Sequence, residues 1–196
     1  MTGIFLDQHE VRDGLVNGLA LGKSVLNMFS YTAAFSVAAA MGGAVETTSV
    51  DLAKRSRELS TAHFEANGFS MDNHRLVVMD VFDYFKYAKK KGLSYDLIVI
   101  DPPSFARNKK RTFSANKDYH KLIAQSLDIL SEHGTIIAST NAANMTVQQF
   151  KKQLRKGLGD VSADFVNLQQ LPADFTVNPN DPTSNYLKVY TIKVNK

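Results

Sequence analysis

Three times in this chain a β-rich run ends on an aspartate. Thr47-Thr48-Ser49-Val50 runs into Asp51, Leu76-Val77-Val78-Met79 into Asp80, and Leu97-Ile98-Val99-Ile100 into Asp101. Short, near-continuous apolar runs separated by helix-forming stretches are the pattern of strands buried on both faces of a parallel sheet. Successive parallel strands need crossover connections, which place helices over the sheet faces. In such a sheet the three carboxylates stand on one rim, at the carboxyl ends of the strands, where open α/β folds bind their ligands.

The rest of the chain repeats the alternation. A short helix or turn near 9–20 leads into a buried strand at 25–29 and an Ala-rich helix at 32–41, which Gly42-Gly43 ends. Strand 45–50 and helix 52–67 follow, closed by Asn67-Gly68. Then come strand 74–79, helix 81–90, strand 95–100, helix 117–131, strand 135–140 and helix 147–156. The last third changes character, with a strand at 161–168, a Pro/Asn/Asp-rich loop at 172–184 and an alternating strand at 186–194. A loop without a helix implies that this closing pair is an antiparallel hairpin at the sheet edge. The expected fold is α/β and Rossmann-like, a seven-stranded, mostly parallel sheet with a C-terminal antiparallel hairpin and helices on both faces.

The junction Asp101-Pro102-Pro103-Ser104-Phe105 is the stiffest of the rim turns. Pro102 and Pro103 lack backbone N–H groups and hold φ near −65°, so the chain leaves the sheet in a rigid, extended form. Each rim acid has a plain alternative as a helix cap or turn residue. Together, beside the loop Phe29-Ser30-Tyr31-Thr32-Ala33-Ala34-Phe35, they point to a nucleotide-like ligand. That loop has neither the GxGxxG of a dinucleotide fold nor the GxxxxGK[ST] of a phosphate-binding loop. Small side chains still permit close approach at the helix N-terminus. An adenosine ligand without phosphate fits, and S-adenosylmethionine is the commonest cofactor of that kind.

Composition removes some chemistry. The chain contains no cysteine, which leaves no disulfide, no thiolate metal site and no thiol nucleophile. Methylation of a pyrimidine at C5 normally needs a thiolate to attack C6, so an acceptor with its own lone pair, such as a ring nitrogen, is the better match. His63, His74, His120 and His133 show no metal-ligand spacing, and no metal is expected. A formal charge of +4 permits a polyanionic partner without demanding one. No segment has membrane-spanning length and the first residues do not read as a signal peptide, so a cytoplasmic setting is expected.

Taken together, Val25-Leu26-Asn27-Met28-Phe29-Ser30-Tyr31-Thr32, Thr48-Ser49-Val50-Asp51, the Asp101 to Phe105 junction and Gly3-Ile4-Phe5-Leu6-Asp7-Gln8 resemble a known family. They are similar to class I S-adenosylmethionine-dependent methyltransferases acting on large-subunit (23S) ribosomal RNA. The continuation Ala106-Arg107-Asn108-Lys109-Lys110-Arg111 resembles the members that methylate guanine N7 more than those that methylate cytosine C5. The resemblance implies that Asn27 and the loop Phe29, Ser30, Tyr31, Thr32 and Ala33 hold the methionine part of the cofactor. It implies that Asp51 and Leu52 hold the ribose, and that Asp80, Val81 and Phe82 hold the adenine. Asp7 and Gln8 would close over the cofactor, and Asp101, Pro102, Pro103 and Phe105 would form the transfer site, with Asp101 also touching the cofactor. Two positions depart from the family: Ala33 replaces a usual Gly and narrows the room beside the methionine part, and His9 replaces a usual Arg.

On this reading residues 1–22 are a lead-in contributing to the cofactor site and 23–196 the methyltransferase domain, a catalytic domain whose relatives carry RNA-binding domains ahead of it. Phe105 has two readings, stacking on an extruded base or packing in the core. Arg107, Lys109, Lys110 and Arg111 are either a phosphate-contacting surface for 23S RNA or a solvated loop. Lys151, Lys152, Arg155 and Lys156 read first as a solvated helix face. Two other functions remain open from sequence: methylation of a protein or small molecule, and a non-catalytic RNA-binding domain.

Overall fold

The structure is a computed structural model and describes residues 3–107 and 112–196. Its main sheet has seven strands in the spatial order β3-β2-β1-β4-β7-β9-β8. These are β1 (Ser24–Met28), β2 (Glu46–Asp51), β3 (His74–Val78), β4 (Tyr95–Ile100), β7 (Leu130–Thr140), β8 (Ser162–Gln169) and β9 (Lys188–Asn195). The strands β5 (Phe105–Arg107) and β6 (Thr112–Ser114) form a separate antiparallel pair. Among the described residues there are six α-helices, α1 (His9–Gly14), α2 (Ala34–Met41), α3 (Lys54–Ala66), α4 (Val81–Lys91), α5 (Ala115–Leu127) and α6 (Val147–Leu158), besides short 3-10 and π segments.

The period-2 pattern of the central strands sorts two cores. Leu26, Met28, Ile98, Ile100, Ile136 and Ala138 face α4, α5 and α6, where Phe85, Leu122 and Phe150 meet them. Val25, Leu97, Val99, Ile137 and Val189 face the other way, against Val11 and Leu15 of the N-terminal segment and Phe35 and Ala39 of α2. Burial on both faces is why these strands read as continuous apolar runs. Two glycines set close helix contacts. A Cβ on Gly42 would meet the Leu15 carbonyl oxygen at 2.1 Å, and one on Gly157 would meet Ile123 and the His120 carbonyl at 2.5 Å.

The expected sheet is present, with three differences of detail. The closing hairpin is antiparallel and at the sheet edge, as expected, with β9 between β7 and the outermost strand β8. Burial explains the order, since Val189, Tyr190, Ile192 and Val194 are all buried whereas Val166 and Leu168 of β8 are exposed. Helix α2 begins at Ala34, not 32, because Ala33 stands at φ 61° and cannot be part of a right-handed turn. Helix α5 spans 115–127 and is followed by a turn, so 128–131 do not continue it. The lead-in is a 3-10 turn at Leu6–Gln8 followed by α1 and a π segment at Leu15–Leu19, and the antiparallel pairing of β5 with β6 was not anticipated.

Candidate functional site

The carboxyl ends of β1, β2 and β4 open onto a cavity of about 550 Å³, within the range of small-molecule and cofactor sites. Its floor is the loop between β1 and α2. Phe29, Tyr31 and Ala33 alternate in the left-handed region at φ 60°, 49° and 61°. Each such non-glycine residue costs on the order of 1–2 kcal/mol, so the surrounding bonds must enforce the shape. They do: Ser30 N–H donates to Val50 O at 3.0 Å, Ala33 N–H to Ser30 O at 2.7 Å, and Tyr31 N–H to Asp51 Oδ2 at 2.9 Å.

The rim acids come together as expected from the strand ends. Asp7, Asp51, Asp80 and Asp101 all line the cavity. Asp51 also accepts from Ala53 N–H at 2.8 Å, so the backbone on both sides orients its carboxylate. About four acceptor positions on a carboxylate leave others beyond these two bonds. Asp80 is the N-cap of α4, accepting from Phe82 N–H at 3.0 Å and Asp83 N–H at 3.3 Å. The capping and ligand-facing alternatives therefore fall on the same residue, because a strand end on this rim is also a helix start.

Asp101 follows the end of β4. Its Oδ2 accepts from Gln8 Nε2 at 2.9 Å and its Oδ1 from the Ser139 hydroxyl. Burial pushes its carboxyl above the usual carboxylate range, while the bonds from Ser139 and Gln8 pull the other way and the nearby Asp7 charge adds to the rise. The Tyr119 hydroxyl lies 2.8 Å from both Ile100 O and Ser139 O, a shared donor that joins the ends of β4 and β7 beside the acid. Burial raises this phenol well above its ordinary value, so it stays a neutral donor. Pro102 and Pro103 form the adjoining wall, and the Ser104 hydroxyl donates to Asn141 Oδ1 at 2.8 Å, fastening the turn to the loop after β7.

Of the other expected residues, Gln8, Phe29, Ser30, Tyr31, Thr32, Leu52, Val81, Phe82 and Arg107 line the cavity. Asn27 and Ala33 do not. Asn27 is fully buried behind the loop, donating to Ser36 Oγ at 3.0 Å, and the Ala33 methyl packs with Val37, Ala40 and Phe64. The extra methyl at position 33 thus points away from the cavity and takes no room there. Phe105 is 62% exposed and outside the lining, so its core reading is wrong. Lys109, Lys110 and Arg111 lie outside the described residues.

His9 bonds Asp174 Oδ1 at 3.2 Å, which raises the imidazole above its ordinary value. On α6, Lys151 and Arg155 lie over the Phe165 ring at 5.0 and 5.1 Å, more than a merely solvated face.

Phe35, the last residue of the Phe29–Phe35 loop, lines the cavity too, whereas sequence reasoning missed Arg12, Phe113, Ser139 and Asn141. Ser139 was open to the same rule as the acids, being at the end of a rim strand. Phe113 was not, because its place depends on the unforeseen β5–β6 pair. It is buried against Phe29 and Phe82, with ring centroids at 6.3 and 6.2 Å.

The residues present fit an adenosine cofactor with a cationic tail. Ribose hydroxyls, an adenine amino group and positive charge are donors or cations, and four carboxylates face them. Asp7 Oδ1 and Gln8 Oε1, at the N-terminal wall, are buried with no hydrogen-bond partner. Among the described residues no group of three or more His, Cys, Asp or Glu could hold a metal, and no helix is long and apolar enough to cross a membrane.

Comparison with known proteins agrees with this geometry. The chain is 48% identical over 98% of its length to a candidate ribosomal RNA large subunit methyltransferase, YwbD, of Bacillus subtilis, covering 49% of that protein. It is 36% identical over 89% of its length to ribosomal RNA large subunit methyltransferase K of Neisseria meningitidis, covering 48% of it. A crystal structure of SMU.776, a candidate methyltransferase complexed with SAH, superposes with a TM-score of 0.96 at 72% identity, over 99% of this chain and 51% of the other. The chain spans about half the length of the relatives it matches. A family model described as S-adenosylmethionine-dependent methyltransferase matches residues 1–188, and the chain belongs to that family.

Proposed function

We propose that this chain transfers a methyl group from S-adenosylmethionine to guanine N7 of large-subunit (23S) ribosomal RNA. In this reading residues 1–22 complete the cofactor site and 23–196 form the transferase domain. Asp51 and Leu52 hold the ribose, Asp80, Val81 and Phe82 the adenine, and the Phe29–Thr32 loop with Asp7 and Gln8 the methionine part. The relatives named for ribosomal RNA support the substrate class. The observation that carries the choice of acceptor is the wall built by Asp101, Pro102 and Pro103 in a chain with no thiol.

When bound, the cofactor supplies an electrophilic methyl on its sulfonium. The protein's task is to align the acceptor and exclude water. Guanine N7 has a free lone pair and loses no proton on methylation, so no general base is required. Asp101, with both oxygens already held by Gln8 and Ser139, is fixed as a positioning and electrostatic group. Its charge faces the positive charge that develops on the purine, in a site where such interactions are strong. Pro102 and Pro103 keep the wall rigid, and Phe105 is free to stack on the base at the mouth. Arg107 and the basic residues that follow it contact phosphates.

Incubation with methyl-labelled cofactor and a mixture of large-subunit RNA and soluble protein tests the reading. Label is expected in RNA and at least tenfold less in protein. Label in protein, undiminished by ribonuclease, would overturn the RNA assignment.

A further inference from the structure

Lys188, the first residue of β9, is 4% exposed and makes no ion pair among the described residues. A lysine is seldom buried without a carboxylate, because taking an ammonium out of water is costly. Its Nζ instead donates to two backbone carbonyls, Ala142 O at 3.0 Å and Tyr186 O at 2.8 Å. Burial pushes this ammonium below its ordinary value, which adds to the cost of keeping it there. The two carbonyls stand behind different walls of the cavity, each next to or bonded to a residue that lines it. Ala142 follows Asn141, which lines the cavity and receives the Ser104 hydroxyl of the Asp-Pro-Pro-Ser turn at 2.8 Å. Tyr186 donates its phenol to Asp7 Oδ2 at 3.0 Å, and Asp7 neighbours Gln8, the residue bonded to Asp101.

We propose that Lys188 is a positioning residue that sets the spacing between the N-terminal wall, through Tyr186 and Asp7, and the Asp-Pro-Pro-Ser wall, through Ala142 and Asn141. Lys188 touches neither cofactor nor base. It suits the place because one ammonium has three donors and can serve two carbonyls from one stem. A neutral apolar residue would take the ammonium from the Tyr186 carbonyl, leave the Ala142 carbonyl only its bond from Met145 N–H at 3.1 Å, and remove the link that ties the two segments together; hydrogen-bond geometry in such sites tolerates shifts of well under 1 Å, on the order of 0.5 Å. The proposal rests on the assignment of this cavity to the cofactor.

The test is a double-mutant cycle on S-adenosylhomocysteine affinity, measured by calorimetry on the whole chain with Lys188→Met and Tyr186→Phe. Lys188→Met is expected to weaken binding about tenfold and Tyr186→Phe about threefold. Since the Tyr186 phenol acts through Asp7, which is one of the two routes from Lys188, the double variant should bind no more than about twofold weaker than Lys188→Met. Tyr84→Phe, which breaks the buried Tyr84–Tyr95 hydroxyl pair in the core and lies outside the cavity, controls for loss of stability. It should lower Tm and leave the affinity unchanged. Wild-type affinity in Lys188→Met, effects that multiply fully in the double variant, or a loss in Tyr84→Phe as large as in Lys188→Met would overturn the positioning role. If Lys188→Met does not fold, Tyr186→Phe decides alone, and wild-type affinity there rejects the proposal. Failure of the wild-type protein to bind the ligand would instead reject the cofactor assignment.

Discussion

Asp101 is held in a form that costs stability. Its folded-state pKa is raised, chiefly by burial, so the folded protein binds a proton more readily than the unfolded chain. The stabilising contribution is full below the unfolded value and is lost as pH rises through the folded one. Asp101→Asn should therefore raise stability at neutral pH by about 1 kcal/mol, or roughly 2–4 °C in Tm, a gain that vanishes in acid. The same change should lower methyl transfer by about a hundredfold, as removal of a fixed charge at a reacting centre does. Unchanged transfer would remove Asp101 from the site. His74 works in the opposite direction. It is buried, 2.9 Å from the Thr47 hydroxyl and stacked on Phe64 at 4.5 Å, and burial lowers its pKa below 6.5. Its contribution is complete above the unfolded value and is lost as pH falls through the folded one. A urea series between about pH 7 and 5 should show stability falling, with His74→Gln flattening that slope. The three rim acids were legible in sequence because each ends a strand. The left-handed floor at Phe29, Tyr31 and Ala33 was not, since non-glycine residues give no local sign of φ above zero.

At the level of elements, α6 begins with a capping box in which Thr146 Oγ1 accepts from Gln149 N–H at 3.1 Å and Gln149 Oε1 from Thr146 N–H at 2.8 Å. Thr146→Ala should cost about 1 kcal/mol in a denaturant titration without changing the slope. A cost near zero would mean that packing of Phe150 and Leu154 alone sets where the helix starts. Strands and helices of the first two-thirds were readable because period and punctuation agree there. The position of β9 was not, because pairing order is a tertiary outcome. The local hint was the fuller burial demand of Val189, Tyr190, Ile192 and Val194 compared with β8. The β5–β6 pair escaped for a different reason. Two three-residue strands carry too few residues to show a period, yet they bring Ala106, Arg107 and Phe113 to the cavity wall.

For the molecule as a whole, the sheet exists on one rim to bring distant segments together. Asp7 and Gln8, the β1–α2 loop, Asp51, Asp80, Asp101 and Asn141 meet at one cavity although they span most of the chain. A ligand that binds only the folded form must stabilise it. S-adenosylhomocysteine at a hundred times its Kd should add about 2.7 kcal/mol, and Asp51→Ala should remove most of that gain at the same ligand concentration. Equal thermal shifts in the two proteins would place the cofactor elsewhere. The choice of nitrogen over carbon as acceptor is tested most directly by nucleoside mass mapping of unmodified large-subunit RNA after incubation with the protein and S-adenosylmethionine. A guanosine gaining one methyl at N7 is the expected product, and 5-methylcytidine or an unmodified RNA would contradict it.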